Sequence, residues 1–287
     1  MDQQKSLCMK SSYFSGYFFS IPDCYKLEKF VGKGAYGYVC LAINTITDKK
    51  VVIKKFLETC DRDFTTLNEI AVLRYLNHPN IIPLIDIVPP FFKTQNIYIV
   101  MEAMSCSLDN VIVRNPNMGV PESKCIIYQL LCALLYMKKV GIIHRDIKPA
   151  NILINADVSV KLCDFGIARG ILASKMITRD LKTTSIKCEN GLLTGYVVTR
   201  FYRAPELLFG NKKYDYQCDM WSAGCVFAEL LLHSPFLCGK DEVDQIFLIF
   251  KHLGMPSFED LLSVSKNVVI TGNESVLKLS RFSVRSK

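Results

Sequence analysis

A short polar segment, "HRDIKPAN" from His144 to Asn151, is enclosed by apolar residues on both sides. Its proline excludes an interior helical turn, so the segment is predicted to be a loop anchored by two strands. Asp146 could accept a hydroxyl proton, Lys148 could steady a transferred phosphoryl group, and Asn151 could ligate a metal. A solvated turn would not explain the apolar strands around it, so positioned catalysis is the better interpretation.

A second oxygen ligand follows in "CDFG", where Asp164 stands ten residues after Ile154. Asn151 and Asp164 together fit Mg²⁺, which keeps several waters and is usually bound by one or two carboxylates plus phosphate oxygens. The pair therefore predicts a magnesium site that is completed by a phosphate-bearing ligand.

The glycine-rich segment "GKGAYGYV", Gly32 to Val39, lies between two predicted strands. Its three glycines would let backbone amides approach phosphates, so a phosphate-binding lid and an ordinary hairpin turn are both consistent with it. A dinucleotide-binding unit would need a helix directly after the glycines, and it explains none of the later motifs.

Lys54, in "VVIKKF", stands fifteen residues beyond Val39. An exposed strand lysine is the usual case. The functional alternative is that Lys54 reaches the α and β phosphates of a nucleotide. Such a buried ammonium needs a carboxylate partner, because an unpaired buried charge is costly, and Glu69 on the next helix is the candidate.

The elements that must position these residues change in character along the chain. From 23 to about 104 the sequence predicts short strands, rich in valine and isoleucine, and one helix, "FTTLNEIAVLRYLN". After it come helices in "PESKCIIYQLLCALLYMKKVG", "CDMWSAGCVFAELLL" and "DEVDQIFLIFKHLG". A strand-rich lobe followed by a helical lobe predicts a cleft near residues 101–107. One broad apolar face is predicted for the first of these helices, formed by Ile127, Leu130, Leu131, Leu134 and Leu135.

Composition narrows the class of protein. The 287 residues carry a net charge of +8, but the basic residues are scattered, which favours an anionic ligand over dedicated nucleic-acid binding. The 12 cysteines are too dispersed for a secreted disulfide scaffold and indicate a reducing compartment, the cytoplasm or the nucleus. No apolar run reaches the length of a membrane span, so no membrane insertion is expected, and the N-terminus lacks the pattern of a signal peptide.

In this order and spacing the motifs resemble the protein-kinase signature set. The resemblance covers about Tyr25 to Pro256, and Lys148 is similar to the lysine of the serine/threonine class. It rests on Gly32-x-Gly34-x-x-Gly37-x-Val39, Lys54, Glu69, His144-Arg145-Asp146, Asn151, Asp164-Phe165-Gly166 and Ala204-Pro205-Glu206.

This resemblance implies an α+β, two-lobed protein-kinase fold. An N-terminal lobe with an antiparallel β-sheet and one main helix would span 23–104, after an N-terminal extension at 1–22. A mainly helical C-terminal lobe would span 105–256, and an atypical tail 257–287. The tail has little helical pattern, so we expect the C-terminal lobe to be truncated, without the arginine that relatives pair with the glutamate at the position of Glu206.

The resemblance also implies a site for ATP with Mg²⁺. Met101 would guard the back of the adenine pocket, and the backbones of Glu102 and Met104 would hydrogen-bond the adenine edge. Cys163, beside the metal ligand Asp164, is either a reactive thiol facing the nucleotide or an inert buried cysteine. The lid over the phosphates would be formed by Val31, Gly32, Lys33, Gly34, Ala35, Tyr36, Gly37 and Val39.

The stretch "TGYVVTRFYRAPE" resembles the activation lip of mitogen-activated protein kinases of the p38-like, Thr-Gly-Tyr type. The resemblance implies that an upstream dual-specificity kinase phosphorylates Thr194 and Tyr196. It also places Val198 in a strained, positive-φ conformation that favours substrates with proline after the serine or threonine.

Phosphate on the lip needs arginine neighbours, because each phosphate adds nearly two negative charges. Arg200 and Arg203 are placed in sequence to take phosphorylated Tyr196. Arg145 and Arg169 could take phosphorylated Thr194.

Two positions on the first helix depart from the family pattern. Relatives carry arginine one and four residues before the helix glutamate, to grip the phosphothreonine, whereas this chain has Asn68 and Thr65. The expected consequence is a weaker link from the lip to Glu69 and a less switch-like activation.

These observations predict a proline-directed serine/threonine kinase of the mitogen-activated type. Its expected partners are protein substrates with Ser/Thr-Pro and an upstream dual-specificity kinase; nucleic acid is not expected. The alternative is a non-catalytic, kinase-like binding module, a truncated isoform that sequesters kinase partners. Every catalytic residue argues against that alternative, and the short C-terminal lobe argues for it.

Overall fold

The computed structural model describes residues 9–34, 37–56, 63–88, 96–115, 118–170, 200–210, 215–257, 259–260, 270–271 and 278–279. The chain divides into two compact units, each described separately below. The first unit comprises Met1–Val111, Tyr128–His144 and Pro149–Lys182. The second unit comprises Ile112–Ile127, Arg145–Lys148 and Thr183–Lys287.

The main element of the first unit is a five-stranded antiparallel sheet in the order β3-β4-β5-β7-β6. Along the central strand, Lys49–Phe56, the buried Val51 and Ile53 lie on the same face, as the two-residue period of a strand requires. The five strands are β3 (Tyr25–Lys33), β4 (Gly37–Asn44), β5 (Lys49–Phe56), β6 (Leu84–Val88) and β7 (Tyr98–Glu102).

An N-terminal hairpin, β1 (Met9–Phe14) and β2 (Tyr17–Pro22), packs on this sheet. Phe19 is fully buried in the sheet's core, and the Ser20 amide donates to the Tyr98 hydroxyl at 3.0 Å. The hairpin is therefore part of the hydrophobic core of the first unit.

The polar segment from His144 to Asn151 is bounded along the chain as the sequence predicts. Strand β9 (Ile142–Ile143) precedes it, and a 3₁₀ turn at Pro149–Asn151 leads into β10 (Ile152–Ile154). Proline tolerates the first turn of a short helix because its missing N–H has no partner to lose there. The predicted loop anchored by two strands is confirmed.

Helix α1 (Asp63–Tyr75) is the main helix that the sequence predicts in this part of the chain. Short strands complete the first unit in two small sheets, ordered β11-β10-β8 and β12-β9. Their bounds are β8 (Cys106–Ser107), β11 (Val160–Leu162) and β12 (Arg169–Gly170).

Three of the other described helices, Val120–Val140, Gln217–Leu232 and Glu242–Leu253, lie where the apolar patterns of the sequence predict them. The two shorter helices, Leu108–Arg114 and Pro205–Leu208, were not predicted. The sheet, the helices and their separation along the chain confirm the predicted α+β class. The helices are α2 (Leu108–Arg114), α3 (Val120–Val140), α4 (Pro205–Leu208), α5 (Gln217–Leu232) and α6 (Glu242–Leu253). A 3₁₀ turn at Arg200–Tyr202 and the paired strands β13 (Ile270–Thr271) and β14 (Lys278–Leu279) complete the second unit.

The apolar face predicted for α3 was wrong at two positions. Leu131 and Leu135 are 37% and 56% exposed, whereas Ile127, Leu130 and Leu134 are buried. The buried stripe continues instead through Ile126, Ala133 and Met137, which together with Leu130 recur every three to four residues and so lie on one face of the helix. No helix within the described ranges is long and apolar enough to cross a membrane.

Candidate active site

The first site feature is a buried ion pair between the central strand and the helix. Register places Lys54 on β5 opposite Val39 of β4 and Ile99 of β7. Its ammonium donates to both carboxylate oxygens of Glu69 on α1, at 2.7 and 2.8 Å. Both residues are buried, so Lys54 is not an exposed strand lysine, and it has the carboxylate partner that the functional alternative requires.

The electrostatics of this pair favour a charged lysine. Burial alone would lower the pKa of Lys54, but the carboxylates of Glu69 and Asp164 outweigh burial and raise it above its usual range. Lys54 therefore stays an ammonium at every physiological pH, which is the form that binds phosphate oxygens.

Asp164 lies on the other side of the same lysine. Its Oδ1 is 3.6 Å from the Lys54 ammonium, and its backbone has a φ of 65°, in the left-handed region that is unfavourable for residues other than glycine. Phe165 is fully buried and packs edge-on against His144, with ring centroids 4.9 Å apart. A strained conformation persists only where packing fixes it, and such residues cluster at functional sites.

The two predicted metal ligands lie on linked segments of the first unit. Asn151 is buried, and its carbonyl accepts from the Cys163 amide at 2.9 Å and from the Cys163 thiol at 3.3 Å. Cys163 is half-buried. Residue 163 and its successor Asp164 are thus tied by hydrogen bonds to the turn that carries Asn151.

These ligands fit a magnesium ion. The Oδ1 of Asp164 is buried, and no hydrogen-bond donor contacts it among the described residues, so an acceptor is left for a cation to satisfy. The described ranges contain no cluster of three or more His, Cys, Asp or Glu side chains that could hold a metal. A metal at Asp164 and Asn151 would therefore take its remaining ligands from water and phosphate, as Mg²⁺ does.

The described part of the glycine-rich segment covers the end of β3 and the start of β4. The Gly34 amide donates to the Gly37 carbonyl at 2.9 Å. A Cβ at Gly37 would lie 2.1 Å from the carbonyl oxygen of Lys55, so strand pairing requires glycine there, whereas a Cβ at Gly32 would meet nothing within 4 Å. Gly32 therefore has open space beside it, as a lid over phosphates needs.

Other predicted lid residues can be placed only in part. Val31 and Lys33 are exposed at the end of β3, and Val39 pairs with the strand position of Lys54. Ala35 and Tyr36 lie outside the described residues.

The predicted adenine-binding residues lie at the end of β7. Met101 is buried and pairs with Val52 of the central strand. The Glu102 carboxylate lies 3.3 Å from the Lys161 ammonium. Any contact of Glu102 with adenine would therefore be made by its backbone, as predicted. The thioether of Met104 accepts from the Asn155 amide at 3.4 Å.

The second unit carries the predicted catalytic base. The Asp146 carboxylate accepts from the Lys148 ammonium at 2.8 Å, so the two side chains are held together. The backbone at Arg145 has a φ of 73°, and its amide donates to the Asp219 carboxylate at 2.8 Å. The segment around Asp146 also borders a small cavity with Tyr202 and other residues of the second unit.

Asp219 supports the segment before Asp146 and was not predicted from the sequence. It is buried at the start of α5 and fixes the strained backbone immediately before Asp146. The only local signal was a carboxylate in the first turn of a strongly apolar helix. Its partner lies 74 residues earlier, so no spacing rule connects the two.

Two of the predicted phosphate-binding arginines already contact acceptors in the second unit. Arg200 donates to the backbone carbonyls of Gly239 and Lys240, and Arg203 lies 3.3 Å from the Glu242 carboxylate. A phosphate on the lip would have to share or displace these contacts.

The other two predicted phosphate-binding arginines belong to different units. Arg169 is exposed on β12 in the first unit, and Arg145 belongs to the second. Thr194, Tyr196 and Val198 lie outside the described residues, so the lip phosphorylation and the positive φ stay predictions.

A comparison with known proteins shows which family the chain resembles. The family model "Protein kinase domain" matches residues 25–279. Among curated proteins, the chain is 42% identical over 236 residues to mitogen-activated protein kinase 3 of Arabidopsis thaliana, covering 80% of this chain and 60% of that protein. It is 39% identical over 250 residues to mitogen-activated protein kinase 2 of Pneumocystis carinii, covering 86% and 68%.

A third relative has a longer chain. The extracellular signal-regulated kinase 1 of Dictyostelium discoideum is 39% identical over 260 residues, which are 88% of this chain and 46% of that protein. Against the mitogen-activated protein kinases 3 and 6 of Arabidopsis, the chain spans 60% and 57% of the relative's length.

Proposed function

The chain belongs to the protein kinase family and, within it, to the mitogen-activated serine/threonine kinases, and on that premise we propose that it transfers the γ-phosphoryl group of ATP to serine or threonine of protein substrates. The observation that carries this proposal is the cluster around Lys54. Its ammonium lies 2.7 Å from Glu69 and 3.6 Å from the unsatisfied oxygen of Asp164. A buried cation beside an acceptor oxygen suits a nucleotide phosphate with its metal.

The chain's own residues divide the work of the transfer. Lys54, oriented by Glu69, would hold the phosphates of ATP, and Asn151 and Asp164 would hold Mg²⁺. The bound ion neutralises charge on the phosphate oxygens and orients them. Little covalent chemistry is left to the protein, because phosphoryl transfer depends mainly on alignment and electrostatics.

Asp146 would orient the substrate hydroxyl and accept its proton. Lys148, whose ammonium lies 2.8 Å from the Asp146 carboxylate, would neutralise charge that develops on the transferred group. The buried Asp219 holds the backbone before Asp146, so this pair is positioned before substrate arrives. Preorganised charges of this kind stabilise a transition state without reorganising during the reaction.

Specificity and regulation form the finer part of the proposal. The similarity of the lip to the Thr-Gly-Tyr type supports a preference for Ser/Thr-Pro and activation by phosphorylation of Thr194 and Tyr196. Arg145, Arg169, Arg200 and Arg203 are the proposed phosphate ligands. The corresponding partners would be Ser/Thr-Pro proteins and an upstream dual-specificity kinase, in the cytoplasm or the nucleus.

The alternative of a non-catalytic binding module has less support. A module that only sequesters partners has no use for an ammonium buried between two carboxylates or for a carboxylate–lysine pair on a strained loop. Both arrangements are present in the described residues.

The proposal is tested with the purified chain, Mg-ATP and two peptides that differ only in Ser-Pro against Ser-Ala. We expect phosphorylation of the Ser-Pro peptide, with the Ser-Ala peptide as a much poorer substrate. Equal rates on the two peptides would remove the proline-directed part and leave the kinase. No transfer to either peptide, or to a general serine/threonine substrate protein, by the chain phosphorylated at Thr194 and Tyr196 would contradict the kinase proposal itself.

A further inference from the structure

Asn68 occupies an unexpected place in the first unit. It precedes Glu69 on α1, and its side chain is buried. Its Nδ2 donates to three backbone carbonyls of the Asp164 segment: Phe165 at 3.2 Å, Gly166 at 3.2 Å and Ala168 at 2.8 Å. One side chain therefore joins the helix to the segment that carries the predicted metal ligand.

This contact bears directly on the conformation of Asp164. A carboxamide has two N–H hydrogens, so one of them is shared between two of the three carbonyls. The carbonyls follow the residue whose φ is 65°, and a backbone in that region needs surrounding contacts to persist. The Ala168 amide closes the same turn by donating to the Phe165 carbonyl at 3.1 Å.

Two successive residues of α1 thus hold the site from one side. Glu69 positions the Lys54 ammonium, and Asn68 positions the backbone on either side of Gly166. Because neither side chain can shift without the helix, displacement of α1 would loosen Lys54 and Asp164 together. The arrangement couples the helix to the phosphate-binding cluster.

A neutral amide makes this link without any phosphate. The family resemblance implies an arginine at this position that reaches a phosphothreonine, and an arginine's charge would be satisfied only when that phosphate is present. The Asn68 bonds are complete within the described residues and need no added charge. The departure from the family pattern is therefore a replacement of one link by another.

We propose that Asn68 is a positioning residue that holds Asp164 beside Lys54 in the unphosphorylated chain, so that phosphorylation of the lip adds less to activity than it would with arginine at this position. The inference rests on the proposed kinase function for its activity readout. Its structural readout, the protection of the Asp164 segment, is independent of that function.

The test compares Asn68→Leu, which keeps the approximate side-chain size and removes the donor, with Asn77→Leu as the matched control. Asn77 is exposed beyond the end of α1, and the same substitution there leaves the segment's carbonyls untouched. We expect faster hydrogen exchange in a peptide covering 163–169 for Asn68→Leu only. A loosened Asp164 should also lower unphosphorylated kcat/KM for Mg-ATP by about tenfold to a hundredfold, as misplacement of a catalytic group by about 1 Å does.

The dependence of activity on phosphorylation distinguishes a positioning role of Asn68 from a general loss of structure. We expect the ratio of activity with Thr194 and Tyr196 phosphorylated by semisynthesis to activity without phosphorylation to rise in Asn68→Arg and to stay unchanged in Asn77→Leu. Asn68→Arg, whose charge only the phosphate would satisfy, also replaces the leucine variant in the exchange measurement if that variant does not fold. It should show a low unphosphorylated rate and a restored phosphorylated rate.

The outcomes distinguish the two proposals. Wild-type exchange at 163–169 together with an unchanged activity ratio in the folded Asn68 variants would overturn the inference and leave the kinase function standing. If the wild-type chain shows no transfer that depends on Asp146, the kinase proposal fails, and the exchange experiment alone decides the role of Asn68. Faster exchange in the Asn68 variants would support positioning, and unchanged exchange would refute it.

Discussion

Removing Glu69 tests the physical basis of the site, because it leaves a buried ammonium without its main partner. In Glu69→Leu, Lys54 would lose the two carboxylate contacts at 2.7 and 2.8 Å and keep the Asp164 carboxylate at 3.6 Å. Breaking a buried ion pair from one side costs about 3–5 kcal/mol. The remaining carboxylate offsets part of this cost, so we expect a loss of about 3 kcal/mol in the free energy of unfolding.

The double variant Lys54→Met/Glu69→Leu removes both buried charges. Apolar replacement of a buried pair is often neutral or stabilising, so we expect a free energy of unfolding within about 1 kcal/mol of wild type. Asp164 then loses its cation, but its side chain is 28% exposed and can be hydrated. The double variant should therefore fold but lose kinase activity, because it lacks the lysine that holds phosphates.

Urea denaturation followed by circular dichroism measures these differences. The control is the partly exposed pair of Glu102 and Lys161, 3.3 Å apart, for which Lys161→Met should cost less than about 1 kcal/mol. If Glu69→Leu costs no more than this control, the buried-pair reasoning is refuted. A double variant whose loss equals the sum of the two single losses would refute it as well.

Two further predictions concern the lid and the second unit. Gly37→Ala should destabilise the chain and raise the KM for ATP, because its Cβ would lie 2.1 Å from a backbone carbonyl oxygen. Gly32→Ala should leave the unfolding midpoint unchanged, because a Cβ there meets nothing within 4 Å. Equal unfolding midpoints for the two variants would contradict this prediction. Tyr202→Phe removes a buried 2.6 Å hydrogen bond to Glu229 and should lower the free energy of unfolding by about 1.5–3 kcal/mol, with the exposed Tyr128→Phe as the neutral control. Burial, together with the hydrogen bond to Glu229, raises the pKa of Tyr202. The contribution of Tyr202 to the stability of the fold is therefore fully present below about pH 10, the ordinary pKa of tyrosine, and is lost as pH rises through the pKa of the folded state. A pH titration of stability above pH 10 should therefore fall more steeply for wild type than for Tyr202→Phe, and parallel curves would refute the assignment.

The site residues predictable from the sequence were those whose chemistry conflicts with their surroundings. Lys54 stands in an apolar strand, and Asp146 lies in a polar loop between apolar strands, so each signals function without any knowledge of contacts. The strand–helix order also fixed the α+β class, because the periods of 2 and 3.6 residues differ clearly in the two halves of the chain.

What the sequence did not predict depends on contacts between distant residues. Asn68 was identified only as a missing arginine, since its bonds reach carbonyls 97 to 100 residues further along the chain. Asp219 supports the loop before Asp146 through a backbone amide, and an amide has no signature in the sequence. Leu131 and Leu135 look apolar and helical, yet only packing decides which part of an apolar face is covered.

The central claim is that Asp146 orients the substrate hydroxyl and accepts its proton during transfer of the γ-phosphoryl group, and one measurement tests it most directly. Single-turnover transfer from γ-labelled Mg-ATP to a Ser-Pro peptide is compared for wild type, with Thr194 and Tyr196 phosphorylated, and the equivalent Asp146→Asn protein. We predict that Asp146→Asn binds Mg-ATP with wild-type affinity and loses transfer by at least about a hundredfold, the range of a positioned general base. Equal transfer rates for the two proteins would contradict the account.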